Sequence, residues 1–158
     1  MRRAFADELL LQMKVDPDIV VITGDLGYGM FDKIRDEVPA QFFNVGASEQ
    51  AMMGVAVGMA LSGKKVFVYS ITPFLIYRAF ETIRTYIDHE KIPICLVGSG
   101  RDDDYKHDGY SHNASDVHAI LKPLKNIIQY YPTTPGDIPY LVASMVKKMI
   151  PSFISLRR

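Results

Sequence analysis

The sequence predicts an α/β fold: a doubly wound, mainly parallel sheet of about six strands with helices on both faces. Three observations carry this. Short β-rich runs alternate along the whole chain with segments of helical periodicity, the pattern of strand–crossover–strand units. Strand runs such as Ile19-Val20-Val21-Ile22 are continuously apolar rather than alternating, as in strands covered on both faces. Polar and glycine-containing clusters follow the strands at Gly24-Asp25, Gly46 to Glu49, Ser70 to Phe74 and Gly98 to His112. In open α/β sheets this places them together on the rim beyond the carboxyl ends, where ligands collect.

The elements follow in order. Phe5, Leu9, Leu10 and Met13 share one face of a first helix. Residues 19–23 form a buried strand, and 31–37 a short helix stopped before Pro39. Residues 42–45 are the second strand. A helix over 48–61 is rich in small and apolar residues and ends at Gly63, with Ser48 as its N-cap and Glu49 in its first turn. Residues 66–69 form the third strand, followed by one helix over about 72–88. Residues 92–97 are the fourth strand, and 98–113 a polar loop. A short helix over 115–121, a strand over 126–129, a helix from Pro135 to about Met149 and a last strand over 153–156 complete the pattern.

The 158 residues suit a single domain spanning 1–158, and 48% hydrophobic content is enough for a sizeable core. Eighteen basic and eighteen acidic side chains cancel, so there is no basic surplus for nucleic acid and no acidic tail. Near-neutrality leaves little charge repulsion against assembly. No apolar run reaches membrane-spanning length, and the N-terminus lacks a secretory pattern. The one cysteine, Cys95, lies in an apolar run and reads as a buried structural thiol, in keeping with a reducing, cytoplasmic setting.

Two constellations carry chemistry. Glu49 is a lone carboxylate where a strand becomes a helix, a place the helix dipole favours for any acid. Phe74, Tyr77 and Phe80 recur at i, i+3 and i+6; that spacing also serves ordinary helix core, and Phe80 faces either a pocket or the core. An acid beside an aromatic wall can hold a planar nitrogen heterocycle. The run Arg101-Asp102-Asp103-Asp104-Tyr105-Lys106-His107 reads as a solvated loop rather than a metal site.

The segment Val45-Gly46-Ala47-Ser48-Glu49-Gln50-Ala51-Met52-Met53-Gly54, continuing to Leu61, resembles the G-[IA]-x-E-Q-x-M-x-G-x-A-x-G-x-A-L segment of the pyrimidine-binding domain of transketolase-like thiamine diphosphate enzymes. The run Thr72 to Arg84 is similar to that family's helix whose first aromatic stacks on the aminopyrimidine, and Asp108-Gly109-Tyr110-Ser111-His112 resembles its D-G-P-T-H signature. The resemblance spans essentially the whole chain and implies the thiamine diphosphate-binding fold, pyrimidine module. It implies that Glu49 hydrogen-bonds the aminopyrimidine and promotes the tautomer that takes the thiazolium proton. It implies that Phe74 stacks, Tyr77 and Phe80 line the pocket, and Asp25 faces the cofactor. Asp108 and His112 would meet the substrate's hydroxyls and carbonyl, and Arg2 and Arg157 would clasp a sugar phosphate. Tyr110 replaces the family's proline, Ser111 its threonine, and a histidine expected near Gly98-Ser99 is absent, which weighs against a phosphorylated substrate.

The family's metal- and diphosphate-holding G-D-G…N-N motif is not in the chain. The implied cofactor is therefore thiamine diphosphate, with Mg²⁺ or Ca²⁺ on a separate diphosphate-binding partner subunit, in a homodimer or heterotetramer. The implied reaction moves a two-carbon ketol unit from a ketose donor to an aldehyde acceptor, with a sugar or sugar phosphate as substrate. Rivals are another thiamine diphosphate reaction (2-oxo acid decarboxylation and transfer, or deoxyxylulose-phosphate synthesis) and a non-catalytic structural or regulatory subunit.

Overall fold

The computed structural model describes residues 1–158. Six strands form one sheet, every pair parallel: β1 (Ile19–Thr23), β2 (Phe42–Asn44), β3 (Lys65–Ile71), β4 (Ile94–Ser99), β5 (Ile128–Tyr130) and β6 (Ser152–Leu156). The order is β2-β1-β3-β4-β6-β5. From β1 the chain moves outward to β2 and then crosses back to β3 on the other side, so a switch point opens beyond the ends of β1 and β3.

Strand alternation divides the core into two layers. On one side Val20, Ile22, Val66, Val68, Ile94 and Leu96 pack against α3 (Glu49–Leu61), α4 (Thr72–Tyr77) and α6 (Val117–Leu121). On the other, Ile19, Val21, Phe67, Tyr69, Cys95 and Val97 pack against α1 (Arg2–Val15), α2 (Asp32–Glu37) and α7 (Ile138–Lys148). Burying each such side chain contributes roughly 1.5–3 kcal/mol. The face Phe5, Leu9, Leu10 and Met13 is buried as its spacing predicts, and Cys95 is fully enclosed. Burial drives the Cys95 thiol up to about 12. No helix is long and apolar enough to cross a membrane.

The structure corrects the sequence expectations within several elements. The helix expected over 72–88 is not continuous: α4 ends at Tyr77, the chain breaks at Arg78-Ala79, and α5 (Phe80–Thr82) runs into a π-helical stretch over Ile83–His89. Each piece has its own anchor. Thr72 Oγ1 donates to the carbonyls of Ser99 (3.2 Å) and Gly100 (2.6 Å), fixing α4 to the end of β4. Gln50 Nε2 donates to Thr82 Oγ1 at 2.8 Å, fixing α5 to α3. Ser48 occupies the N-cap position of α3 without a side-chain cap; its carbonyl instead accepts the Met52 N–H at 2.8 Å. The loop after β4 holds 3₁₀ turns at Lys106–Asp108 and Tyr110–His112. Its acid run is not merely solvated: Asp102 and Asp104 pair with Arg157 at 3.3 and 3.5 Å.

Candidate functional site

The rim site is built on the first turn of α3. Gly46, at φ +77, turns the chain out of β2, and two residues later α3 begins with Glu49 facing inward. The Glu49 side chain is only 3% exposed. A carboxylate so enclosed requires a partner. The partner is Arg78, whose Nη1 donates to Glu49 Oε2 at 2.8 Å.

Arg78 stands four residues after Phe74, one helical turn on the same face. Its guanidinium carbon lies 3.7 Å from the Phe74 ring centroid, in face-on cation–π contact. The His112 ring meets Phe74 edge-on, with centroids 4.8 Å apart. Ser111 Oγ lies 3.0 Å from His112 Nδ1. Thus Glu49, Phe74 and His112, taken from three separate chain segments, gather into one group. Arg78 completes it. Sequence reading gave Arg78 no role, although its i+4 spacing from Phe74 was a usable signal.

The remaining expected residues lie around this group. The Tyr77 hydroxyl donates to Asp116, and burial together with that carboxylate raises its pKa well above the usual range for tyrosine. Phe80, half-buried, packs against the core layer that contains α3. Asp25 adopts φ +57 beyond β1; its N–H donates to Asn44 Oδ1 at 2.9 Å, and its carboxylate accepts the Tyr28 hydroxyl. Asp108 is exposed on its 3₁₀ turn.

A second cluster forms where α1 begins and β6 ends. Arg2 Nη1 donates to the Tyr105 hydroxyl at 3.2 Å, Tyr105 shares a hydrogen bond with Ser99 Oγ at 2.9 Å, and Arg158 lies over the Tyr105 ring. Gly100 makes this possible: at φ +83 its Cα faces the Tyr105 ring so closely that any Cβ would fall 2.3 Å from ring carbons. Tyr105 and Arg158 were not anticipated; a lone tyrosine in a polar loop carries no periodic signal. Arg157, held by Asp102 and Asp104, is the most fully neutralised arginine of the cluster. One buried polar side-chain atom on the same rim has no partner, Ser70 Oγ at the end of β3. No three His, Cys, Asp or Glu side chains come together in a metal-holding arrangement.

The chemistry of the central group is specific. It puts a buried carboxylate and an aromatic face side by side, joined by one planar N–H donor.

Comparison with known proteins gives consistent results. The family model described as "Transketolase, pyrimidine binding domain" matches residues 1–158. The chain is 29% identical over 158 residues to an apulose-4-phosphate transketolase subunit of Phocaeicola vulgatus, covering 99% of this chain and 51% of that protein. It is 32% identical over 127 residues to 1-deoxy-D-xylulose-5-phosphate synthase of Clostridium perfringens, covering 78% of this chain and 20% of that protein. Among solved structures, a split gene transketolase described as an inactive beta4 tetramer superposes with a TM-score of 0.86 at 28% identity, covering 99% of this chain and 51% of that chain. The chain thus spans about half the length of its subunit-type relatives.

Proposed function

The chain belongs to the transketolase pyrimidine-binding domain family, and on that premise we propose that it supplies the pyrimidine half of a thiamine diphosphate site in a split transketolase-like enzyme. The reaction is transfer of a two-carbon ketol unit from a ketose donor to an aldehyde acceptor. The observation that carries this reading is the Glu49–Arg78–Phe74 group. One planar N–H donor already satisfies the buried carboxylate and the ring face together, so the pair fits an aminopyrimidine.

Each residue then has a task. Glu49 donates its carboxyl proton in a hydrogen bond to a ring nitrogen of the heterocycle and exchanges that proton with it. Phe74 stacks on the ring, with Tyr77 closing the pocket, Phe80 backing it from the core layer and Asp25 facing it from the end of β1. His112, in contact with Phe74, donates to the substrate carbonyl oxygen as negative charge develops there. Asp108 meets substrate hydroxyls. Arg2 and Arg157 meet the far end of the substrate; the pairing of Arg157 with Asp102 and Asp104 favours a hydroxylated over a phosphorylated group there. When bound, thiamine diphosphate supplies the carbon chemistry of ketol transfer.

The diphosphate and its Mg²⁺ or Ca²⁺ belong, in this reading, to a separate subunit, assembled with this one as a homodimer or heterotetramer. The test is a ketol-transfer assay of the purified chain with thiamine diphosphate and Mg²⁺, with and without a diphosphate-binding subunit. Activity is expected only with both. Robust turnover by the chain alone would overturn the split assignment.

A further inference from the structure

Arg78 makes both contacts that the pyrimidine reading assigns to the cofactor ring. Its guanidinium covers the Phe74 face at 3.7 Å, which is van der Waals contact, and its Nη1 holds the Glu49 carboxylate at 2.8 Å. A second planar group cannot take the same ring face and the same oxygen while the guanidinium stays. The His112 ring also lies against Phe74, in a T-shaped contact with centroids 4.8 Å apart. We infer that Arg78 is a resident placeholder for the aminopyrimidine, a side chain that must leave the Glu49–Phe74 pair before the heterocycle enters; this rests on the pyrimidine reading of that pair.

The local structure suits such a role. Glu49 is enclosed, while the Arg78 side chain is 48% exposed, so one partner is fixed and the other has solvent to swing into. Arg78 also sits at the break between α4 and α5, outside the regular turns of either. The physical reason for a placeholder is the carboxylate. A buried charge left without a partner is strongly destabilising, so the site stays paired until a ligand takes over the bond. The consequence is a lowered apparent affinity: intrinsic binding is reduced by the fraction of molecules in which the pair is already open.

The experiment uses the isolated full chain and, as probe, the aminopyrimidine 4-amino-5-hydroxymethyl-2-methylpyrimidine, which needs no metal and no partner subunit. Its Kd is measured by NMR titration against wild type, Arg78→Met and Arg78→Lys. Methionine keeps an unbranched stem without the cation; lysine keeps the charge without the plane. The expected result is roughly tenfold tighter binding to Arg78→Met, with Arg78→Lys between. In wild type the Arg78 Nε–Hε signal should move to a solvent-like position as the probe saturates. Should Arg78→Met fail to give a folded spectrum, Arg78→Lys carries the comparison. Unchanged or weaker binding by the folded variants, with wild type binding the probe, overturns the placeholder and leaves the pyrimidine reading standing. Binding to none of the three proteins overturns the pyrimidine reading and the placeholder with it.

Discussion

Replacing Gly98 by alanine adds one methyl group where the structure has no room for it. Gly98 lies near the end of β4, paired with Ser70 on one side and Ser155 on the other. A Cβ there would fall 2.5 Å from Thr72 Oγ1 and 2.9 Å from the nearest Phe153 ring carbon. Neither neighbour yields easily. Phe153 is fully buried, and Thr72 is 1% exposed with its hydroxyl bonded to two carbonyls. Overpacking of this kind costs about 1–3 kcal/mol. Losing the Thr72 bonds adds about 1 kcal/mol. A domain of this size loses about 2–4 °C in Tm per kcal/mol, so the drop should be roughly 4–16 °C. Thermal unfolding followed by circular dichroism measures it. Gly54→Ala is the control: the same methyl meets nothing within 4 Å on α3, and the variant should gain about 0.4–1 kcal/mol. Because Thr72 opens α4, the Gly98→Ala variant should also shift the Phe74 ring signals in an NMR spectrum. A Tm within a degree of wild type would refute the reasoning, since it would mean the end of β4 does not hold α4 in place.

Three further outcomes follow from the site and the core. Glu49→Gln keeps the shape and removes the exchangeable acid, so cofactor C2-proton exchange in the assembled enzyme should slow by about 10²–10⁴-fold; an unchanged rate would reduce Glu49 to a helix-end acid. His112→Ala should lower kcat by an amount equivalent to about 2.7–4 kcal/mol while cofactor affinity holds, and a collapse of affinity at normal kcat would mean that His112 serves the cofactor instead. The third concerns alkaline pH. Cys95 keeps its proton up to about 12 in the folded chain, whereas the unfolded thiol ionises near 9.0, so the folded state binds more protons between those values. Its contribution to stability is complete below pH 9 and is lost as pH rises toward 12. Cys95→Ala should therefore flatten the decline in denaturant-measured stability between pH 9 and 11 relative to wild type; parallel curves would contradict the burial of the thiol.

The strands were legible because parallel strands covered on both faces read as unbroken apolar runs, and β1 emerges over the residues expected. The edges were less so. β5 begins at Ile128 rather than 126 because its N–H pairs with the Pro151 carbonyl, a partner 23 residues away that no local pattern reveals. The same limit explains the larger misses. The break in the helix after Tyr77 sits where Arg78 turns to Glu49, 29 residues earlier. The acid run after β4 looked solvated because its counter-ion, Arg157, lies more than fifty residues on. The resemblance of their segments to the family's, more than spacing, singled out Glu49 and Phe74, but only the switch between β1 and β3 brings them together with His112. Ser48 misled for a local reason: a serine before an acidic first turn usually caps with its hydroxyl, and here the backbone carbonyl alone starts the helix.

The two pieces that meet at Arg78 and Ala79 are fastened to different bodies, α4 to the end of β4 through Thr72 and α5 to α3 through Gln50. Any sliding of α3 against the sheet is therefore taken up in the two residues between them rather than spread along a helix. Backbone amides at this junction form a natural strain gauge. Their hydrogen–deuterium exchange registers a shift of α3 that leaves the amides of β1, β3 and β4 protected, so a docking event on α3 is readable at one short stretch of chain without any label placed near the site.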